Sequence, residues 1–233
     1  MSQQPTLVFA PGLLCDEALF AAQIQALQPK TRILVADFRQ GQDSIDAMAQ
    51  TVLELCKGAF SLVGLSMGGY VAMRCLALAP QRIERLVLMD TTHKPDSPER
   101  KKRRKALIEL SQRGRFKGVS EQLLPQLIAS EHSKNPQITQ TIFDMAQRTG
   151  RESFQNQQNA ILNREDASAW LSRYQAPSLV ICGEADQLTP PDQASALAAL
   201  LPHSRLELIA NSGHLPPLEQ PQICTKLLDD FLF

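Results

Sequence analysis

The chain has 233 residues, 43% of them hydrophobic and 21% charged, which suits one globular domain with a sizeable core, alone or carrying an insertion. Its 24 basic and 24 acidic residues cancel, so no global charge argues for nucleic acid or an anionic membrane as a partner. No run approaches the length of a membrane span, and the N-terminal MSQQPTLVFA lacks the basic and apolar regions of a signal peptide.

In chain order, TLVFA at residues 6–10 is the first predicted strand, 17–27 has helical character, and RILVADF at 32–38 is the second strand. A helix over 44–57 would place Ile45, Met48, Val52 and Leu55 on one side. Phe60, Leu62, Val63 and Leu65 then form the short apolar run expected of a buried parallel strand. Beyond Ser66, Val71, Cys75 and Leu78 recur at helical spacing, and Pro80 closes that segment. RLVLMD at 85–90 is another strand, after which residues 93–176 turn polar and helical in pattern with no strand candidate. The alternation resumes with PSLVICGEAD at 177–186, a helix over about 191–201, RLELIA at 205–210 and a last helix toward 233. Such an order predicts an α/β fold, a mostly parallel six-stranded sheet covered by helices on both faces. Residues 1–92 and 177–233 would form its core, and 93–176 an inserted helical cap. The five cysteines, among them Cys56, Cys75 and Cys182 at apolar-patterned positions, show no metal-ligand spacing; reduced core thiols and a cytoplasmic setting are expected.

Strand, sharp turn and helix around GLSMGG are the context in which a G-x-S-x-G serine becomes a nucleophile. A serine hydroxyl is a poor nucleophile and needs a base, itself oriented by a third group. Of the four histidines, His203 lies at a helix end, His132 falls in the cap, and His93 sits just past a strand. His214 follows the last strand, in NSGHLPPLEQP, where a histidine can face the carboxyl edge of the sheet. It is the best base. For the orienting acid Asp186 competes with Asp90 and Asp37, each also near a strand end, and is favoured because it gives the chain order Ser, Asp, His with the acid after the cap.

These segments carry a resemblance. APGLLCD after the first strand, DFRQGQDS after the second, GLSMGG, CGEAD and GHLPPLEQP together resemble the α/β-hydrolase superfamily over nearly the whole chain. The resemblance implies Ser66 as nucleophile, His214 as base, Asp186 as its orienter, and an oxyanion hole from the backbone N–H groups of Leu13 and Met67. It implies no metal and no organic cofactor, and a small-molecule substrate. Two departures stand out: Pro11-Gly12 where many relatives have His-Gly, and Gln40-Gly41-Gln42 where they often have Gly-His-Gly. The family's usual first two strands are also lacking. The expected activity is hydrolysis of a small ester, lactone or thioester through an acyl-enzyme. Carbon–carbon bond hydrolysis, elimination like that of the menaquinone-pathway synthase, and a non-catalytic ligand receptor are the alternatives.

Two local features complete the expectations. ERKKRRKALIEL from Glu99 reads as the solvated face of the first cap helix, with Leu107, Ile108 and Leu110 turned inward, rather than as a patch for phosphate or an acidic partner. QNQQNAI at 155–161 either hangs amides over the site or covers a helix surface. With the cap helices flanking the serine turn, Asn159 and, further along, Arg164 are candidate substrate contacts, and the polar middle of the cap favours a short or polar acyl group.

Overall fold

The computed structural model describes residues 5–233. Its strands are β1 (Thr6–Ala10), β2 (Arg32–Val35), β3 (Phe60–Leu65), β4 (Ile83–Met89), β5 (Ser178–Gly183) and β6 (Ser204–Ile209). They pair as one sheet in the order β2-β1-β3-β4-β5-β6, every pair parallel. The helices that alternate with them are α1 (Ala21–Leu27), α2 (Ile45–Glu54) and α3 (Met67–Leu78). Between β4 and β5 come α4 (Pro98–Ser111), α5 (Leu124–Leu127), α6 (Pro136–Leu162) and α7 (Ser168–Leu171), with no strand. After β5 follow α8 (Pro191–Leu200), α9 (Pro216–Glu219) and α10 (Pro221–Leu232).

Successive strand residues point to opposite faces, so the apolar runs feed two cores. Leu62, Leu86, Leu88 and Val180 pack on one face with Met48 and Val52 of α2 and Val71 and Cys75 of α3. Val63, Leu65, Val87 and Ile181 pack on the other with Leu27 of α1 and Leu228 of α10. Phe9 and Phe20 stack there with ring centroids 4.5 Å apart. Fully burying one such side chain contributes about 1.5–3 kcal/mol. The central strands are therefore enclosed on both sides, and only their carboxyl ends stay open to a ligand.

The second strand is shorter than the 32–38 expected. As an edge strand it has only β1 to pair with, and the register ends at Phe9 opposite Val35. Asp37 then takes the Arg39 backbone N–H at 3.0 Å, a local turn that draws the chain off the sheet. α4 and α6 start where the side chains of Ser97 and Asn135 accept from the backbone N–H groups of Arg100 and Gln137, each followed by proline at the first helical position. α6 is broken at Gly150, whose φ of 76° no helix adopts. Among the described residues no helix is long and apolar enough to cross a membrane.

Candidate active site

Ser66 closes β3 and opens α3 with φ 53° and ψ −111°, a conformation costly for any residue with a side chain. The turn is held from outside: its N–H donates to the Met89 carbonyl at 2.9 Å, and the Thr91 hydroxyl donates to its carbonyl at 2.8 Å. Strand and helix approach so closely that a Cβ on Gly68 would lie 1.8 Å from the Ala10 carbonyl oxygen, and one on Gly64 2.4 Å from that of Gly68. Only glycine fits either position. Among the described residues the other non-glycine positions with positive φ are Leu14, Asp90 and Asn211, which follow β1, β4 and β6. Strain is thus concentrated along the carboxyl edge of the sheet, where α/β folds bind ligands.

On that edge three side chains meet. Ser66 Oγ lies 2.9 Å from His214 Nε2, and His214 Nδ1 lies 2.8 Å from Asp186 Oδ2. Asp186 Oδ1 accepts from the N–H groups of Leu188 (2.8 Å) and Thr189 (3.1 Å), while its Oδ2 accepts from the Thr189 hydroxyl at 2.7 Å. Burial works against ionisation of Asp186, but the facing His214 and the Thr189 donors outweigh it and hold the carboxyl well below the usual carboxylate range. The histidine loop has its own brace, missed in the sequence. Glu219 of α9, itself buried, accepts from the N–H groups of Gly213 (2.9 Å), Leu215 (3.0 Å) and Ala129 (2.7 Å), gripping both neighbours of His214.

Leu13 lines the same cavity as the serine, and Met67 follows the serine in the chain. Met67 is the first residue of α3, where a helix leaves its N–H groups without intrahelical partners. Among the described residues no protein acceptor takes the Leu13 N–H. The Leu13 loop is fixed from a distance: Gln157 of α6, fully buried, accepts from the Leu14 N–H at 3.0 Å and donates to the Phe38 carbonyl at 3.1 Å. Asp16, two residues further, is gripped by Arg148 at 2.7 and 3.1 Å. The sequence pattern showed the amide cluster but not which of its members turn inward.

A cavity of about 450 Å³ opens over Ser66 and His214, in the size range of small-molecule sites. Most of its wall is apolar, with Leu107, Val119, Leu123, Ile142, Met145 and Phe154 from the helical segment. This corrects the expectation of a polar roof. Asn159 is exposed and lies outside the lining; Gln157 and Gln158 are the amides that face inward. Arg164 is also outside the lining. Its guanidinium is buried, bonded to the Lys94 and Ile161 carbonyls and to Asp96 Oδ1 at 2.9 Å, and stacked 4.3 Å from the centroid of the Tyr70 ring, which does line the cavity. The basic run is divided rather than wholly solvated. Lys101, Lys102 and Lys105 are exposed and lie outside the lining, whereas half-buried Arg100 and Arg104 and exposed Arg103 all line the cavity; Leu110, expected inside, is 65% exposed.

Of the competing residues, Asp90 lies beside Asp186, and His132, His93 and Asp37 sit elsewhere. His132 is bonded through Nε2 to the Asn211 carbonyl, and His93 faces a separate cavity of about 140 Å³. Asp37 pairs with Arg39 beyond the edge strand. Cys15 also lines the main cavity, but burial, then the neighbouring Asp16 charge, pushes its thiol up to about 12, so it offers no thiolate. Cys56, expected in the core, is half-buried.

Comparison with known proteins agrees with this architecture. A thermophilic esterase from Thermogutta terrifontis, solved with malate bound, has a TM-score of 0.90 and 29% identity, over 99% of this chain and 90% of that one. The enol-lactonase of Burkholderia xenovorans shares the fold with a TM-score of 0.86 at 24% identity, over 99% of this chain and 92% of its own. In sequence, the pimeloyl-[acyl-carrier protein] methyl ester esterase of Nitrosomonas europaea is 25% identical over 94% of this chain and 92% of its own. The model of the alpha/beta hydrolase fold family matches residues 5–221, and the chain belongs to that family.

Proposed function

We propose that the protein is a serine hydrolase of small carboxylic esters, lactones or thioesters, with Ser66, His214 and Asp186 as its catalytic triad. The observation that carries this is the unbroken hydrogen-bonded path from Ser66 Oγ through His214 to Asp186, opening into a ligand-sized cavity. Ser66 Oγ attacks the carbonyl carbon while His214 Nε2 takes its proton; Asp186 holds the Nδ1–H tautomer and stabilises the imidazolium that forms. The carbonyl oxygen, now negative, sits against the N–H groups of Leu13 and Met67. Collapse expels the alcohol, which receives the proton from His214. Water, activated by the same imidazole, then releases the acid from the acyl-serine.

The esterase names of two of the relatives support an ester as the scissile group. In this reading α4 to α7 act as a cap that closes the site away from bulk water, and the reduced thiols fit a cytoplasmic enzyme. A fluorophosphonate probe tests it. Ser66 should be the single labelled residue, and Ser66→Ala should abolish labelling and lower p-nitrophenyl ester turnover at least about a thousandfold. Labelling that survives the substitution would overturn the assignment. So would consumption of a diketone or an elimination substrate without any acyl-Ser66 on mass analysis.

A further inference from the structure

Three arginines of α4 line the cavity, at the i, i+3 and i+4 positions that share one helix face. They are not equivalent. Arg104 is ion-paired: its Nε meets Asp96 Oδ2 at 2.5 Å, and its Nη1 meets Gln158 Oε1 at 2.7 Å. Asp96, the acid of this corner, is shared with Arg164, one oxygen to each arginine. Arg100 and Arg103 instead rest on neutral oxygens. Arg100 donates to the Leu188 carbonyl, and Arg103 to Gln126 Oε1 at 2.9 Å. Among the described residues neither has a carboxylate within ion-pair distance. A guanidinium carries five N–H donors, so each of these two is moored by one side-chain bond with most of its donors free. Leu188 and Gln126 also line the cavity, so the moorings hold both cations at its wall.

An apolar chamber with two uncompensated guanidinium groups at one wall and a nucleophile at another is complementary to one kind of molecule. The geometry points to a substrate that carries, besides the scissile ester, an anionic oxygen group, a carboxylate or a phosphate, separated from the ester by an apolar segment. This rests on the hydrolase reading for the reaction and adds the substrate's charge. Arg100 and Arg103 bind the anion through charge-assisted bonds, the hydrocarbon segment packs on Leu107, Leu123 and Phe154, and the ester carbonyl is delivered to Ser66. The mooring of Arg100 on Leu188 also ties the anion site to the turn that holds Asp186, two residues earlier.

The test separates charge recognition from chemistry. Binding of monomethyl adipate, 6-phosphonooxyhexanoic acid methyl ester and uncharged dimethyl adipate is measured by calorimetry on the Ser66→Ala protein, which needs no turnover. At least one anion should bind about tenfold or more tighter than the neutral diester, and the tighter of the two names the group. Arg103→Gln and Arg100→Gln should each erase most of that preference, while Lys102→Gln, on the exposed side of the same helix, should not. In the active enzyme the ratio of kcat/KM for mono-p-nitrophenyl adipate to that for p-nitrophenyl hexanoate should fall at least about tenfold in Arg103→Gln, through KM. Equal binding of charged and neutral esters overturns the anion site even if ester hydrolysis is found. Selective anion binding without any hydrolysis keeps the site and removes the hydrolase reading. A preference lost equally in Lys102→Gln would assign it to the general field of the helix, and so overturn the role of the two arginines.

Discussion

The carboxyl ends of β4 and β5 each carry a buried aspartate: Asp90, 1% exposed, and Asp186, 3% exposed. Their carboxylate oxygens and Cys182 Sγ lie within 4.8 Å of one another. Burial is alike, yet the two are driven in opposite directions. Asp186 has three donors from its own turn and faces His214, so it stays charged. Asp90 Oδ1 accepts only the Gly183 N–H at 2.9 Å, and its Oδ2 has no partner among the described residues. Burial first, then the Asp186 charge beside it, raises Asp90 well above the usual carboxylate range. Two like charges this close cannot both form cheaply, and the one with the donors keeps the charge. Donor count, rather than depth, decides which of two neighbouring carboxyls can orient a histidine.

The comparison breaks most sharply at Asp186. Asp186→Asn should lower kcat at least about a hundredfold, since the histidine loses the partner that sets its tautomer; in the serine-protease precedent the corresponding change costs about 10⁴. Steady-state kinetics on p-nitrophenyl acetate would show it, and a larger loss in Asp90→Asn than in Asp186→Asn would reverse the assignment of the acid. Removing one donor gives a smaller effect. Thr189→Val keeps the shape but takes away the 2.7 Å hydroxyl bond to Asp186. A hydrogen bond to a charged group contributes about 1.5–3 kcal/mol; some of this falls on orientation, so a drop of roughly tenfold in kcat is expected. Unchanged kinetics would mean that the backbone donors suffice.

The smallest effect on rate should come from Asp90→Asn, well below the roughly hundredfold at which general acid–base contributions begin. Its stability profile sharpens the contrast. A carboxyl raised in the folded state contributes stability that is present below the unfolded value, about 3.9, and is lost as pH rises through the folded one. Asparagine carries no such dependence, so the melting temperature of Asp90→Asn should gain on the parent as pH climbs from about 4. Asp186, lowered in the folded state, behaves oppositely: its contribution is present above about 3.9 and is lost as pH falls. Parallel melting profiles for parent and Asp90→Asn between about pH 4 and 8 would contradict a protonated Asp90.

Much of the core was legible because its signals are local. Strand runs such as Leu62 to Leu65 and the glycines around Ser66 follow from period and turn geometry. The Ser, Asp, His order placed the three side chains that the structure brings together. Long-range satisfaction was not legible. Gln157 and Asn159 are chemically alike in sequence, but only Gln157 has an orphan N–H, Leu14, waiting on its side. The basic run carries a periodic signal of its own. Residues 100, 103, 104 and 107 form one helical face, and the apolar character of Leu107 marks that face as the inner one. The expectation of a polar roof failed for a related reason. The polar residues of α6 fall on several sides of the helix, and of adjacent Gln157, Gln158 and Asn159 only the two glutamines are buried.

The span of the contacts that complete the site has a consequence for how the protein is made. Ser66 and His214 are 148 residues apart in sequence, and Leu14 and Gln157 are 143 apart. Contacts of such separation form late, because the loop they close must first be paid for in entropy. At roughly 5–20 residues per second of synthesis, a chain that has just exposed Ser66 waits on the order of ten seconds or more for its histidine. Until then the hydroxyl has no base, although Met89 and Thr91, which hold the turn around Ser66, emerge far earlier. On the proposed reading of the triad, the nascent chain stays inactive until the last strand and the loop after it have joined the sheet.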